Sequence, residues 1–429
     1  MAFNIEDYLP KQPSAVHELR VSNDDIITEL IYKELYMKGK RNPIALSKVL
    51  KIGAPVINEM LGKMKKEEMV SIVGGSGMGM DFIYQLFPKG MDYASKIYQK
   101  DPYMGPVPVN FKDFTKITKI VLQKARESFK INQEYLEEKF QGHVGYRDVL
   151  MSLGRAAAAK KAVFLFGNPG NGKTFISSQV ILLLPPIIVP YVVEAAGQIL
   201  RIFDSATHKT LDIDPDLDFD KRWVPVQPPF IMVGGELTLE ALEVSYNQKF
   251  GCYDAPPQIK ANGGVLLVDD LGRQRCSVEE IFNRFIVPLE TKIDFMVLGG
   301  QRMDANTDEI MLFSTNLDPK DIVDDAFLRR LPYKINMRNP NKQEFHDLFK
   351  MYADKRGLTF TQENLEFLFG LYRRDKRGLR AVQPRDIVEQ VYDYINFSEI
   401  EDNAITNDQI NMAYETYFVK MLTLVDDPV

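Results

Sequence analysis

The chain is predicted to be an α/β protein: a largely parallel sheet with helices on both faces, a helical domain after it and a smaller separate domain before it. Three observations predict this. Short apolar runs at 162–166, 187–194, 230–234, 264–268 and 310–315 alternate with helical patterns, as parallel strands alternate with their crossover helices. From about Asn339 the strands stop, and four amphipathic helices remain near 342–355, 362–373, 383–396 and 406–421. Directly after the first apolar run stand Gly167-Asn168-Pro169-Gly170-Asn171-Gly172-Lys173-Thr174, a glycine-rich turn leading into a helix-compatible stretch.

The bulk numbers fit this reading. At 429 residues the chain is too long for one ordinary core, so two or three domains are expected. Its 45% hydrophobic and 26% charged content is that of a globular protein. Cys252 and Cys276 are the whole cysteine complement, which excludes a disulfide framework and a paired metal-ligand spacing and fits a reducing compartment. Met1 to Pro10 carries acidic residues and no apolar core, so it is not a secretory signal, and a cytoplasmic location is the expectation. The apolar stretch Val180 to Val193 is about five residues short of a membrane span. It is also broken by Pro185, Pro186 and Pro190, so it reads as a helix end, a turn and a buried strand, with no membrane insertion. Net charge is −6, and residues 1–110 hold 14 Lys+Arg against 13 Asp+Glu. That balance does not announce nucleic-acid binding.

In the amino-terminal part, Ile26, Ile27, Leu30, Ile31, Leu35 and Tyr36 recur at helical spacing over 24–38, after the cap candidates Ser22 and Asn23. Pro43 opens a second helix to about Leu50, and Pro55 a third to about Lys66, with Val56, Ile57, Met60, Leu61 and Met64 on one face. Val70 to Val73 and Phe82 to Leu86 read as strands around the turn Gly74 to Gly79. Three helices and a hairpin are the order of a winged-helix domain. Asp101 to Pro108 contains three prolines and resists both helix and sheet, which marks a linker.

The chemistry begins at the glycine-rich loop. Its backbone N–H groups can turn inward around phosphates while the following helix aims its positive end at the same place. Lys173 then reaches the β/γ oxygens of a nucleoside triphosphate, and Thr174 can ligate Mg²⁺. Gly264-Val265-Leu266-Leu267-Val268-Asp269-Asp270 is a buried strand ending in two carboxylates. Asp269 is placed to hold Mg²⁺, and Asp270 to orient or deprotonate the attacking water. Met311 to Asn316 is another such strand with an amide at its tip. Asn316 can touch both the γ-phosphate and the water, or serve simply as a turn residue.

Arg329 and Arg330 follow a short helix in Asp324-Asp325-Ala326-Phe327-Leu328-Arg329-Arg330-Leu331. They suit the negative charge that phosphoryl transfer spreads over the γ-phosphate when a neighbouring subunit supplies them, or an exposed basic pair at a helix end. Arg385, in Gln383-Pro384-Arg385-Asp386-Ile387, opposes the dipole of the helix it opens. A bound phosphate, or a salt bridge to Asp386 or Glu389, would each account for it.

In this order the elements resemble an AAA+ ATPase module over roughly residues 135–425. The resemblance makes Gly167 to Thr174 Walker A, Asp269 and Asp270 the end of Walker B, Asn316 sensor 1 and Arg385 sensor 2. Arg329 and Arg330 resemble the paired arginine fingers of Clp-type unfoldases. It also implies ATP and Mg²⁺ as cofactors and a homo-oligomeric ring, usually a hexamer, in which a neighbour's arginine completes each site. Ala261-Asn262-Gly263-Gly264 is similar to the entry into this strand in bacterial enhancer-binding activators. Phe295 to Met303, with its Gly299-Gly300 turn, resembles the pre-sensor hairpin shared by those activators, MoxR ATPases and magnesium chelatases.

There are departures. Asp270 stands where most of the family has glutamate, which bears on the rate of hydrolysis. The G-A-F-T-G-A loop is absent, and at the comparable place stands Lys249-Phe250-Gly251-Cys252-Tyr253, whose aromatics either grip a substrate in a pore or pack against the body. Lys173 and Asp269 are 96 positions apart. The excess lies in 196–229, where Asp212, Asp214, Asp216, Asp218 and Asp220 alternate. They lack the glycine and closing glutamate of a calcium loop, so a solvated acidic insertion is expected.

The chain therefore divides into a tail 1–21, a winged-helix domain 22–100, a proline-rich linker 101–112, an AAA+ nucleotide-binding domain 113–338 carrying the insertion at about 196–229, and a helical lid 339–429. The leading expectation is an ATPase whose ring motion remodels a protein substrate, with the winged helix contacting that protein or an adaptor. A DNA-binding regulator acting through residues 22–100 is the alternative, since Lys63, Lys65 and Lys66 stand on the third helix. Glu67 and Glu68 follow at once. A slow ATP-binding switch is the third expectation.

Overall fold

The computed structural model describes residues 3–21, 25–75, 80–141, 143–322 and 325–418. The cap candidates Ser22 and Asn23, part of the Gly74 to Gly79 turn, Asp324 and everything after Phe418 lie outside the described residues. The chain forms two compact units. The first comprises Met1–Lys130, Leu184–Val268 and Arg273–Met311, and the second Ile131–Leu183, Asp269–Gly272 and Leu312–Val429.

In the first unit, helices Asp25–Lys38, Pro43–Leu50 and Ala54–Lys66 precede the strands Val70–Gly74 and Ile83–Leu86, which pair antiparallel. A further helix, Pro88–Lys100, follows them. Pro43 sits in the first turn, where its missing N–H costs nothing, and the Asn42 side chain accepts from Ala45 N at 2.8 Å. The apolar positions read at helical spacing are the ones buried: Ile27, Ile31, Ile57 and Leu61 are all closed to solvent. The proline-rich segment is packed into the same core. Tyr103 and Val107 are buried, the Tyr103 hydroxyl donates to Pro106 O at 2.8 Å, and Val107 N donates to Leu50 O at 2.8 Å.

The run read as one strand over 187–194 is two. Ile187–Pro190 pairs antiparallel with Trp223–Val226, whereas Val192–Ala195 pairs with Gln198–Arg201 in a different sheet. The chain changes partner at Tyr191, whose N–H donates to Arg222 O at 3.0 Å. Pro190 has no N–H to continue the first ladder. Within the insertion, Asp212, Asp214, Asp216 and Asp218 are exposed as expected. Asp220 departs from the solvated reading: it is buried and forks onto buried Arg222, with Nε to Oδ1 at 3.0 Å and Nη2 to Oδ2 at 2.7 Å. Arg222 Nη1 also donates to Leu19 O and Pro108 O, each at 3.1 Å, so this ion pair is buried with its hydrogen bonds made.

Phe230–Val233 and Val265–Val268 pair in parallel in this unit. The expected hairpin forms and runs longer than its sequence signal, from Ile293–Leu298 to Gln301–Asn306. Gly299 and Gly300 turn it at φ of 57° and 77°, the left-handed pair that a two-residue hairpin turn needs. The Lys249 to Tyr253 segment forms the tip and second strand of another hairpin, Ser245–Asn247 with Cys252–Asp254. Cys252 is buried, while Phe250 is 40% exposed with the Arg201 guanidinium 4.2 Å from its ring.

Glu309 lies just beyond the long hairpin. Its carboxylate is buried and neither oxygen has a hydrogen-bond partner. Burial pushes its pKa from 4.5 up to about 8, against the pull of Lys292. The folded state thus holds this proton more tightly than the unfolded chain. Its contribution to stability is full below about pH 4.5 and is lost as pH rises through about 8. Between about pH 5 and about pH 9 the thermal midpoint of the wild type is expected to fall a few degrees further than that of Glu309→Gln. Equal slopes in the two melting series would contradict it.

In the second unit, Val163–Phe166 pairs in parallel with Tyr333–Asn336 on one side and with Leu312 to Thr315 on the other. Helices Gln133–Lys139 and Arg147–Ala158 precede it, and Lys173–Gln179 follows its loop. The four expected carboxy-terminal helices are Lys342–Arg356, Gln362–Arg374, Gln383–Phe397 and Asn407–Tyr417. Capping boxes begin three of them, Asn341 with Glu344, Thr361 with Asn364 and Thr406 with Gln409. Phe345, Phe349, Leu365, Ile387, Val391 and Ile410 close their core. Among the described residues no helix is long and apolar enough to cross a membrane.

Candidate nucleotide site

The second unit contains a cavity of about 760 Å³. Residues 169–176, Asp269, Asp270, Asn316 and Arg385 all line it. The glycines of the loop are required for separate reasons. Gly167 has φ of 139°, and a Cβ there would stand 2.5 Å from Met337 O. Gly170 has φ of 79°, and its Cβ would meet Val382 Cγ1 at 2.9 Å. Gly172, at φ of 80°, faces open space, which leaves its backbone accessible to a ligand.

Lys173 folds back over the loop. Its Nζ donates to Gly167 O at 2.9 Å, Asn168 O at 3.2 Å and Asn316 Oδ1 at 2.5 Å. Burial lowers its pKa, while Asp270 and Asp269 pull the other way. The Asn316 amide in turn donates through Nδ2 to Asp270 Oδ1 at 2.6 Å. Lys173, Asn316 and Asp270 are therefore joined in series. Beside them, Thr174 Oγ1 donates to Asp269 Oδ2 at 2.7 Å, and the buried Ser314 hydroxyl holds the other oxygen, Oδ1. Asp270 sits at φ of 50°, a left-handed conformation that aspartate tolerates better than longer side chains. A hydroxyl and a carboxylate this close form a hard oxygen pair of the kind Mg²⁺ takes.

Arg385 lines the cavity and bridges Asp386, whose carboxylate raises its pKa. Of the readings open for it, the Asp386 bridge is made; Glu389 is engaged by Arg356 instead, at 2.5 Å. Arg329 and Arg330 are not among the residues lining the cavity. They follow the short helix Asp325–Leu328, with Arg329 exposed.

Sequence reasoning missed the apolar end of the cavity. Val144, Tyr146, Leu150, Leu348, Met351 and Tyr352 form it, giving a flat aromatic base an apolar surface to lie on. Tyr146 is buried at φ of 54° with its hydroxyl on Arg338 O at 3.1 Å. Asn171 was read only as part of the loop. Its buried side chain is also hydrogen-bonded to Met337, Arg338, Asn339 and Ala381.

Fold and site together define an α/β protein whose glycine-rich loop, between a buried strand and a helix, opens on a cavity lined by two carboxylates and an amide. A family model described as a domain of unknown function, DUF8689, matches residues 341–416. No curated protein matches the chain. Among solved structures, the chain is similar to NtrX from Brucella abortus in complex with ATP, at 13% identity and a TM-score of 0.43, covering 86% of this chain and 74% of that one. The same protein in complex with ADP is 12% identical, with a TM-score of 0.42 over 79% of this chain and 68% of that chain. The RuvB Holliday junction branch migration motor of Thermotoga maritima is 14% identical, with a TM-score of 0.36 over 66% and 69%.

Proposed function

We propose that the chain is a Mg²⁺-dependent AAA+ ATPase that couples ATP binding and hydrolysis to remodelling of a protein substrate or complex. The observation that carries the proposal is the joined series Lys173, Asn316 and Asp270 beside the Thr174 and Asp269 pair, all opening into one cavity with the glycine-rich loop. Residues Gly167 to Thr174 and Arg385 hold the triphosphate, and the Val144 to Tyr352 wall takes the base. Thr174 and Asp269 hold Mg²⁺, which when bound neutralises charge on the phosphoryl oxygens. Asp270 accepts the proton of the attacking water, and Asn316 fixes where that carboxylate points.

Arg329 and Arg330 act on a neighbouring subunit's nucleotide, which makes the working form a homo-oligomeric ring, a hexamer by family resemblance. Residues 22–100 form the winged helix that meets a protein partner. On its third helix Lys63 is already paired with Glu59 at 2.8 Å, and Glu67 and Glu68 follow, which favours protein over DNA because phosphate neutralisation needs a broader basic surface. A reducing, cytoplasmic setting belongs to the same reading, with Cys252 and Cys276 both free thiols.

The proposal is tested by ATP turnover of the full chain and of Lys173→Ala. The substitution is expected to cut turnover by roughly 10² or more, since it removes the charge that meets the β/γ oxygens. Equal turnover in the two proteins would overturn the site assignment.

A further inference from the structure

The side chain of Asn171 is closed to solvent and uses both its donor and its acceptor faces. Its Nδ2 lies 3.1 Å from Met337 O, 3.1 Å from Arg338 O and 3.0 Å from Asn339 Oδ1. Its Oδ1 accepts from Ala381 N at 3.3 Å. One side of the amide meets acceptors and the other a donor, which fixes its orientation. Next to it, Val382 N donates to Gly170 O at 2.8 Å, and the missing Cβ of Gly170 leaves room for the Val382 side chain. Arg380 closes the circuit by donating to Asn339 Oδ1. The phosphate loop is thus bonded directly to the segment 380–382. Arg385, which lines the cavity, stands three residues beyond Val382 at the start of helix Gln383–Phe397.

We infer that Asn171 is a positioning residue that couples the phosphate loop to the 380–382 segment, so that occupancy of the loop sets where Arg385 stands. This rests on the nucleotide reading of the site. Phosphates on the loop would act on the backbone at Gly170 and Asn171, and two hydrogen bonds join those residues to the backbone of Ala381 and Val382. The chain from the loop to the arginine is covalent from there. An alanine at 171 keeps the backbone N–H groups that meet phosphate and removes the side-chain tie; a serine keeps one donor.

The test uses the full chain. Asn171→Ala is expected to bind ATP within about threefold of wild type and to hydrolyse it roughly tenfold more slowly, with Asn171→Ser in between. Amide exchange over 379–384 should slow on adding ATP to the wild type and should be fast and indifferent to ATP in Asn171→Ala. Because both residues act through one position, Asn171→Ala combined with Arg385→Ala should be no slower than Arg385→Ala alone. Unchanged hydrolysis in Asn171→Ala, or losses that multiply in the double variant while exchange over 379–384 still responds to ATP, would overturn the inference and leave the nucleotide reading standing. A wild type that takes up no ATP would overturn both. Near-ultraviolet circular dichroism matching the wild type separates lost coupling from lost folding, and Asn171→Ser supplies the comparison if the alanine variant unfolds.

Discussion

Arg329→Ala and Arg330→Ala are each expected to lower ATP turnover by roughly 10³ or more, with ATP affinity within about threefold of wild type. The reasoning starts from where the two side chains are. Neither lines the cavity that gathers Lys173, Asp269, Asp270 and Asn316, so removing either leaves the lining of the proposed nucleotide site intact. Phosphoryl transfer spreads charge over the γ-phosphate oxygens, and a guanidinium from an adjoining subunit answers charge that develops only then. Such a loss falls on turnover and spares affinity. Mixing either arginine variant with Asp270→Ala should restore part of the activity, since some interfaces then pair an intact carboxylate with an intact arginine. Unchanged turnover in both arginine variants would sink the assignment of a site shared between chains.

The second large effect is at Asp270. Asp270→Asn is expected to reduce hydrolysis by roughly 10² to 10⁴ while ATP still binds, because the amide keeps the shape but accepts no proton. Asp270→Glu installs the side chain usual at this place in the AAA+ ATPases that the sequence resembles, yet it is expected to lower turnover too. Asp270 adopts φ of 50° and receives the Asn316 amide at 2.6 Å. A longer side chain pays for that left-handed backbone with added strain and overshoots the amide. Rapid hydrolysis by Asp270→Glu would show instead that the missing methylene limits the wild type. Comparing single-turnover rates at saturating ATP for the three proteins decides between the two.

What the sequence revealed about this site was its local part. A glycine-rich loop, two carboxylates ending an apolar run and an amide at a strand tip are each written in adjacent residues, and the structure brings Lys173, Thr174, Asp269, Asp270, Asn316 and Arg385 to one cavity. Parallel pairing was legible in the same way for the runs at 162–166, 230–234, 264–268 and 310–315, which are short and apolar, but not at 187–194, where two strands take antiparallel partners. The rest depended on long-range partners. Asn171 meets Met337 and Ala381, 166 and 210 positions away, and nothing beside it in sequence marks it as a junction. Leu348 and Met351 sit on a helix whose apolar spacing serves a core equally well, so their place in the cavity left no separate signal. Asp220 looked like its neighbours in an alternating acidic run; Arg222, two residues on, is what buries it.

Direct uptake of ATP tests the central claim most plainly. Calorimetric titration of the purified full chain with ATP, with and without Mg²⁺, should give saturable binding that tightens with the metal and is lost in Lys173→Ala. No heat of binding under either condition, or binding that Lys173→Ala leaves untouched, would contradict the account.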